Sequence, residues 1–226
     1  MGIIKALSDA IYTNLIREDR YLLFLKGLGL TMQVTLYAVL IGVAIGLLVA
    51  VARILKLKGL QRVAKLYVDI IRGTPVVVQL IIIYYAILGS SSWPKVLVAA
   101  IAFGINSGAY VSELIRAGIL AVDRGQLEAA RSLGLSYFQS MRFVVIPQAI
   151  KNILPALVSE AIVLIKETAV CGYIALDDLT RAGNIIRGRT FDPYTPFILV
   201  ALIYLYVTSL LSIFAGKLEW RLRRGD

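Results

Sequence analysis

Long apolar stretches dominate this chain and limit what it can fold into. Five of them approach the ~20 residues that an α-helix needs to cross a bilayer. They run from about residue 22 to 51, 67 to 88, 96 to 120, 150 to 174 and 196 to 215. Hydrophobic residues make up 59% of the 226 residues and charged residues only 17%. The sequence therefore predicts an all-α, polytopic membrane protein with five transmembrane helices.

The first twenty residues differ from the rest. Apolar side chains recur every four positions up to Ile11 and Leu15, with Asp9 and Asn14 between them. This spacing is typical of an amphipathic helix that lies along a membrane surface, and it lacks the continuous apolar core of a signal peptide. We expect residues 1–20 to form that interfacial helix and residues 21–226 to form a single transmembrane domain with a polar loop at 121–149.

Basic residues are unevenly distributed between the two sides that five spans would define. Most lie after the first span, between the third and fourth spans, and at the C-terminus. Because Lys and Arg are retained in cytoplasmic segments, these three regions are predicted to be cytoplasmic, with the N-terminus outside and the C-terminus inside. The net charge of +10 is explained in this way, so we expect no nucleic-acid partner.

Several kinds of chemistry are excluded by composition. Cys171 is the only cysteine, so an intrachain disulfide cannot form, and histidine is absent. No G-x-x-x-x-G-K-[ST] motif occurs, so the chain has no P-loop with which to bind ATP. We expect no catalytic residue, metal site or cofactor.

The 121–149 loop has an ordered pattern. Glu128-Ala129-Ala130 is followed by three residues, Gly134, nine residues and then an apolar-x-apolar-Pro ending at Pro147. Ala129 and Ala130 are expected to leave a low surface that the backbone of another protein can approach. Glu128 could instead fix the loop by pairing with an arginine, and a plain connecting loop is the alternative for the whole segment.

Capping signals in the same loop predict two short helices. Asp123 can cap the first, with Gln126 three residues later, and Gly134 can end it in a left-handed conformation. Ser136 can cap the second, with Gln139 in the reciprocal position.

Four segments together resemble the permease subunits of ABC importers for polar amino acids. Besides the loop, these are Arg72-Gly73-Thr74-Pro75 with Gln79, Ser112–Gly118, and Lys166-Glu167-Thr168-Ala169. The resemblance covers about residues 22–220, with Val144 and Ile146 as mild departures. It implies a type I ABC importer permease (MetI-like) in the cytoplasmic membrane of a prokaryote. The loop helices would be coupling helices, with contacts to an ATPase from Glu128, Ala129, Ala130, Arg131 and Gly134.

The resemblance also implies a set of partners. These are two ATP-binding cassette ATPase subunits, a second permease subunit that is identical or different, an extracytoplasmic amino acid-binding protein, the amino acid substrate and membrane lipid. Transport would follow alternating access, with ATP hydrolysis on the partner ATPase and not on this chain. A secondary transporter driven by an ion gradient and a membrane scaffold without transport function are the rival hypotheses.

Polar residues within the spans indicate where a substrate would cross, because such groups are costly in a bilayer and usually face a cavity or another helix. At ~1.5 Å per residue, several of them fall in one layer near mid-membrane. Glu160 is the preferred ligand contact, since a carboxylate there favours a cationic amino acid such as arginine, lysine or histidine; it could instead bind the ammonium group, and glutamine is the second choice. The predicted substrate-binding residues are Glu160, Asn106, Ser107, Gln79, Tyr110 and Glu113.

Glu113 and two steps of small residues in the spans have structural interpretations. Glu113 lies three residues from Arg116, and we favour an ion pair that holds the structure together over a substrate contact. The small-x-x-x-small steps Gly42–Gly46 and Gly104–Gly108 are expected to mark close helix packing.

Overall fold

The computed structural model describes residues 2–55, 57–89 and 92–223, without the side chains of residues 3, 4, 7, 222 and 223. Within these ranges every regular element is helical. The α-helices are α1 (Gly2–Ile11), α2 (Tyr21–Ile54), α3 (Lys58–Arg72), α4 (Val76–Ile81), α5 (Lys95–Leu120), α6 (Arg124–Ser132), α7 (Tyr137–Ser140), α8 (Ile146–Glu167), α9 (Leu179–Thr190) and α10 (Thr195–Arg223). π-Helical turns follow at Tyr12–Ile16, Ile82–Ile87 and Met141–Val145, and 3₁₀ turns at Arg17–Asp19 and Thr168–Ile174.

Three of the predicted spans are single long apolar helices. Among the described residues, α2, α5 and α10 are long and apolar enough to cross a membrane. The predicted second span differs, because α3 ends at Arg72 and α4 begins at Val76. Pro75 has no N–H for a helical hydrogen bond and disfavours helical geometry in the residue before it, which explains the break.

Two hydrogen bonds indicate how often the chain crosses. The Lys95 ammonium donates to the Ala175 carbonyl at 3.2 Å, so the start of α5 and the chain after α8 lie on the same side. Because α5 is a span, α8 must bring the chain back. Asn14 donates to Asp192 at 2.8 Å, which requires an even number of crossings between them. Since α2, α5 and α8 make three, α3 with α4 supplies the fourth, and α10 is the fifth.

Contacts divide the chain into two compact units. The first takes in Met1–Ala38, Val76–Phe103 and Leu164–Leu210, and the second takes in Val39–Pro75, Gly104–Val163 and Leu211–Asp226. The core of the first unit lies where α9 packs against the start of α2. Its buried members are Phe24, Leu179, Ala182, Ile186 and Val200.

Glycine allows that contact in the first unit. A Cβ added to Gly27 would lie 2.8 Å from the Asp178 carbonyl oxygen and 2.9 Å from Leu179 Cα. The backbone at the start of α9 therefore touches the surface of α2 directly. The Thr31 hydroxyl accepts a hydrogen bond from the Leu179 N–H at 3.2 Å, which satisfies one of the N-terminal donors of α9.

The second unit is packed around α5. Its buried core consists of Ala50, Val111, Ile115, Ala149 and Ile153. The predicted close packing at Gly42 and Gly46 is confirmed: an added Cβ would lie 3.0 Å from Ser107 Cβ and 2.4 Å from Val111 Cγ1, respectively. This approach brings α2 close to the part of α5 that carries the polar residues.

Candidate functional site

A hydrogen bond between two polar side chains links the middle of α5 with the middle of α8. Asn106 and Ser107 are 3% and 2% exposed, and the Ser107 hydroxyl donates to Glu160 Oε1 at 3.4 Å. At ~1.5 Å per residue, Asn106 lies about 17 Å along α5 and Glu160 about 21 Å along α8, well inside both helices. The structure thus brings together Ser107 and Glu160, which the sequence analysis had placed in one layer.

The surrounding helices hold Ser107 from two sides. A Cβ on Gly42 would touch the Ser107 side chain, and a Cβ on Gly108 would lie 2.7 Å from Ile45 Cγ2 and 3.1 Å from the Tyr67 hydroxyl. Tyr67 donates a hydrogen bond to the Ile105 carbonyl at 2.5 Å. Small residues therefore fix the position of α5 where it carries the polar groups, and Tyr67 is a supporting residue that the sequence analysis missed.

Tyr110 and Glu113 follow along α5 and contact arginines. The Arg72 guanidinium lies 5.2 Å from the centre of the Tyr110 ring. Glu113 Oε2 accepts from Arg116 at 2.7 Å, and Glu113 Oε1 forms a second ion pair with Arg53. Two arginines thus share one carboxylate, which supports the structural interpretation of Glu113 and leaves the cluster with a net positive charge.

Arg53 was not among the predicted site residues. The only feature of the sequence that points to Arg53 is its position just after the first predicted span. That position is on the same side as the end of the third predicted span, where Glu113 lies. Gln79, by contrast, was predicted to be a polar residue inside a span, and it lies on α4 in the first unit with 7% of its surface exposed.

The 121–149 loop forms the two predicted short helices, α6 and α7. Asp123 accepts a hydrogen bond from the Gly125 N–H at 2.6 Å, and Gly134 has the left-handed φ of 87° that ends the first helix. Ser136 and Gln139 make the expected reciprocal capping box. Gln126 differs from the prediction, because its side-chain oxygen accepts from Gln148 at 3.2 Å and so ties α6 to α8.

The outward face of this loop is not the one expected. Ala130 is only 4% exposed, so its own side chain is not part of the exposed surface, and its contact with an ATPase stays a prediction. At a spacing of 3.6 residues per turn, its neighbour Ala129 points elsewhere, and Ala129 is exposed together with Glu128 and Arg131. Ala130 instead lets α6 pack closely on its own unit.

Large apolar side chains near these residues are also exposed. The exposed fractions are 85% for Leu133, 70% for Phe138, 63% for Phe143 and 55% for Tyr137. Four such side chains within eleven consecutive residues of a polar loop are more than the scattered apolar residues of an ordinary surface. Sequence reasoning missed them because it concentrated on the Glu-Ala-Ala spacing.

Comparison with known proteins agrees with this architecture. The sequence profile of the family described as binding-protein-dependent transport system inner membrane component matches residues 42–224. The putative glutamine transport system permease protein of Rickettsia bellii is 40% identical over 215 residues, which is 94% of this chain and 99% of that protein. The arginine transport system permease protein of Bacillus subtilis is 38% identical over 205 residues, covering 89% and 93%.

Two solved structures are similar throughout. A crystal structure of an amino acid ABC transporter with histidines has a TM-score of 0.84 and 46% identity, covering 88% of this chain and 94% of that one. An inward-facing methionine ABC transporter has a TM-score of 0.79 at 20% identity, covering 92% and 99%. The second likeness concerns the fold alone.

Proposed function

Because this chain belongs to the family of binding-protein-dependent transport system inner membrane components, as a permease of amino acid ABC importers, we propose that it moves polar L-amino acids with a cationic side chain into the cytoplasm. The proposed substrates are arginine, lysine and histidine. The observation that carries this proposal is the contact between Glu160 and Ser107 in the middle of two membrane-spanning helices.

The charge of Glu160 is the basis for the substrate class. A cation ~4 Å from a carboxylate gains about 4 kcal/mol at an effective dielectric constant of 20. After desolvation, a hydrogen bond to a charged group contributes ~1.5–3 kcal/mol, which corresponds to roughly 10- to 150-fold in affinity. Ser107 and the buried Asn106 add hydrogen-bonding groups for the polar ends of an amino acid. Tyr110 and Gln79 are proposed as further substrate contacts, and Glu113 as a brace between Arg53 and Arg116.

The comparisons give this choice partial support. The similar transporter of known structure was crystallised with histidines, and one relative is named for arginine transport. Other relatives are named for glutamine transport, so glutamine is the second candidate. Glutamine has no charge for Glu160 to select, and the carboxylate would then bind the ammonium group that every amino acid carries.

Coupling to ATP is assigned to the 121–149 loop. Glu128, Ala129 and Arg131 are among the exposed residues of α6, and Leu133 and Phe138 add exposed apolar area that a partner can cover. Two ATPase subunits that close on ATP would carry these helices with them and switch the spans between outward-open and inward-open states. ATP can drive this change only because it binds one of the two states better.

The remaining parts of the assembly follow from the same proposal. A second permease subunit, in the first instance an identical one, would complete the pathway. An extracytoplasmic binding protein would deliver the amino acid at the other face. The concentration of Lys and Arg supports an orientation with the 121–149 loop and the C-terminus in the cytoplasm and the N-terminus outside.

Uptake into proteoliposomes tests the proposal. The vesicles hold the permease with its ATPase, binding protein is added outside, and labelled arginine or glutamine is followed with and without internal ATP. We expect ATP-dependent arginine uptake, and Glu160→Gln should lower it roughly 10- to 150-fold while lowering glutamine uptake much less. Glu219→Gln, the same change in α10, serves as the matched control.

Two other results of the uptake experiment would reject part or all of the proposal. An equal loss of arginine and glutamine uptake in Glu160→Gln would mean that the carboxylate binds the ammonium group, and the basic-side-chain proposal would be rejected. Uptake that needs a proton or sodium gradient instead of ATP would reject the importer mechanism itself.

A further inference from the structure

Three residues of the first unit with strained backbones lie in segments that meet. Glu18, Asp19 and Phe191 have left-handed φ values of 57°, 53° and 54°. Such values are uncommon for residues other than glycine and persist only where the surroundings enforce them. We call residues 12–20 and 187–195 together the Phe191 corner.

Buried hydrogen bonds join the two segments of the Phe191 corner. Asn14 is 1% exposed; its amide donates to Asp192 at 2.8 Å and accepts from the Thr190 hydroxyl at 2.9 Å. Asp192 also accepts from the Tyr194 N–H at 3.0 Å and the Thr195 N–H at 3.1 Å. This network holds the turn between α9 and α10 in one conformation.

The first segment is held in a similar way. Arg20 is 5% exposed; it donates to the Thr13 carbonyl at 2.6 Å and to Glu18 at 2.9 Å. The hydrogen bond from Arg20 and then its charge hold the pKa of Glu18 below its usual value, and Arg17 and Arg189 contribute at longer range. Arg189 therefore lies close enough to act on the Glu18 segment.

The turn between α9 and α10 carries two aromatic side chains that are exposed. Phe191 is 90% exposed and Tyr194 is 74% exposed. Beside the ring, Arg187, Gly188, Phe191 and Pro193 line an open cavity of about 300 Å³. Arg187, as a lining residue, brings positive charge to that cavity, and its guanidinium also lies 5.9 Å from the Phe197 ring. The corner thus offers an apolar ring next to a cationic recess.

Its surroundings favour a position outside the hydrocarbon interior of the membrane. Arg187, Arg189 and Asp192 lie within four residues of the ring, and Arg17, Glu18 and Asp19 lie in the facing segment. Charged groups at this density require water and are costly in hydrocarbon. Residues 12–20 of the corner precede α2, on the side where the distribution of Lys and Arg leads us to expect the N-terminus, outside the cytoplasm.

We propose that the Phe191 corner is the docking surface for the extracytoplasmic binding protein, which inserts a carboxylate beside Arg187 and covers the Phe191 ring. This inference rests on the proposed function, since it assumes an importer that receives its substrate from such a protein. Charge complementarity predicts an apolar recess bordered by acidic residues on the binding protein. A prearranged, exposed aromatic residue next to an arginine has the composition of an interaction hot spot.

The test measures how much binding protein is needed to stimulate ATP hydrolysis. Permease and ATPase are reconstituted in proteoliposomes, and binding protein loaded with amino acid is titrated from outside. Phe191→Gly removes the ring and relieves the left-handed backbone, so it should fold at least as well as the parent. We expect Phe191→Gly and Arg187→Gln each to raise the half-stimulating concentration about tenfold or more, with unchanged hydrolysis in the absence of binding protein.

Controls separate this outcome from its rivals. Phe214→Ala removes a ring of comparable exposure, 64%, from α10 and should leave the half-stimulating concentration unchanged. Trp93 and Trp220 also fluoresce, so Phe191→Trp is compared with the parent. Extra indole fluorescence that shifts on addition of binding protein supports docking, whereas extra quenching by brominated lipid would show that the ring lies in the bilayer and overturn the inference. Loss of the permease dimer in Phe191→Gly without binding protein would assign the corner to a second copy and overturn it too.

Failure of the inference and failure of the proposed function are distinguishable. If the parent protein is stimulated by binding protein but both corner variants respond at the same concentration, only the docking surface is rejected. If the parent shows no stimulation and no ATP-dependent uptake, the proposed function is rejected and the inference with it.

Discussion

The contact between α2 and α9 makes a sharp prediction about stability. Gly27 faces the backbone at the start of α9, where an added Cβ would lie 2.8 Å from the Asp178 oxygen, 2.9 Å from Leu179 Cα and 3.0 Å from the Asp178 carbonyl carbon. Because all three are backbone atoms, no rotamer change can relieve the clash, and α9 must move away from α2. Gly27→Ala is therefore expected to destabilise the first unit.

The size of the effect can be worked out from these contacts. Overpacking a well-packed site costs typically ~1–3 kcal/mol, and a clash with backbone belongs at the upper end. Moving α9 also weakens the bond from the Leu179 N–H to Thr31, worth about 1 kcal/mol. Alanine in a helix returns about 1 kcal/mol relative to glycine. The net loss is about 3 kcal/mol, or roughly 6–12 °C in melting temperature at about 2–4 °C per kcal/mol for a chain of this size.

Gly29 provides the matched control. It lies two residues further along α2, and an added Cβ there would meet nothing within 4 Å. Gly29→Ala should therefore show only the gain in helix propensity, about 1 kcal/mol, and melt about 2–4 °C higher than the parent. The two variants differ by one methyl group from the parent and are expected to shift in opposite directions.

The chain contains its own probe for this measurement. Cys171 is the only cysteine, is fully buried, and lies in the same unit as Gly27. A thiol-reactive fluorogenic dye therefore reports unfolding of the purified protein in detergent without any engineered residue. A Gly27→Ala protein that melts at or above the parent temperature would refute the packing argument, as would equal shifts for the two variants.

Two further predictions concern the 121–149 loop. Ala129→Trp should keep the parent melting temperature but uncouple ATP hydrolysis from amino acid uptake, because Ala129 is exposed. Ala130→Trp should instead lower the melting temperature, because Ala130 is buried. The reverse pattern would contradict the assignment of the exposed and buried faces of α6. Gly134→Ala should destabilise the loop by about 1 kcal/mol, since the φ of 87° is unfavourable for alanine; protection of the α6 amides from hydrogen exchange should fall, and unchanged protection would contradict the capping argument.

Much of the fold could be predicted because it depends on local patterns. The bounds of α2 and α5 and the start of α10 follow from apolar runs with polar ends, although α10 continues to Arg223, beyond the predicted end near residue 215. The two loop helices follow from Asp123, Gly134 and the Ser136 box. The broken second span was missed because the apolar pattern continues through Gly73 and Pro75, and the weight of one proline against a long apolar run cannot be judged from sequence alone.

The candidate site, too, could be predicted only in part. Depth along a helix is a linear quantity, so the sequence placed Ser107 and Glu160 at a common level, and the structure brings them into contact. Facing depends on tertiary packing, and there the sequence failed: it could not show that Ala130 turns inward while Ala129 turns outward.

Glu113 and Glu160 illustrate why packing decides chemistry. Glu113 and Glu160 are alike in sequence, since each lies in an apolar helix. Two short steps of small residues bring α2 against α5, and the same approach delivers Arg53 to Glu113, which Arg116 already pairs. A cation approaching Glu113 therefore meets net positive charge, whereas the contact that the structure gives Glu160 is with the Ser107 hydroxyl. If this difference governs substrate choice, Glu113→Gln should lower the melting temperature with little change in the preference for arginine over glutamine, and Glu160→Gln should change the preference with little change in melting temperature. The opposite assignment of effects would mean that the Arg53–Glu113–Arg116 cluster, and not Glu160, contacts the substrate.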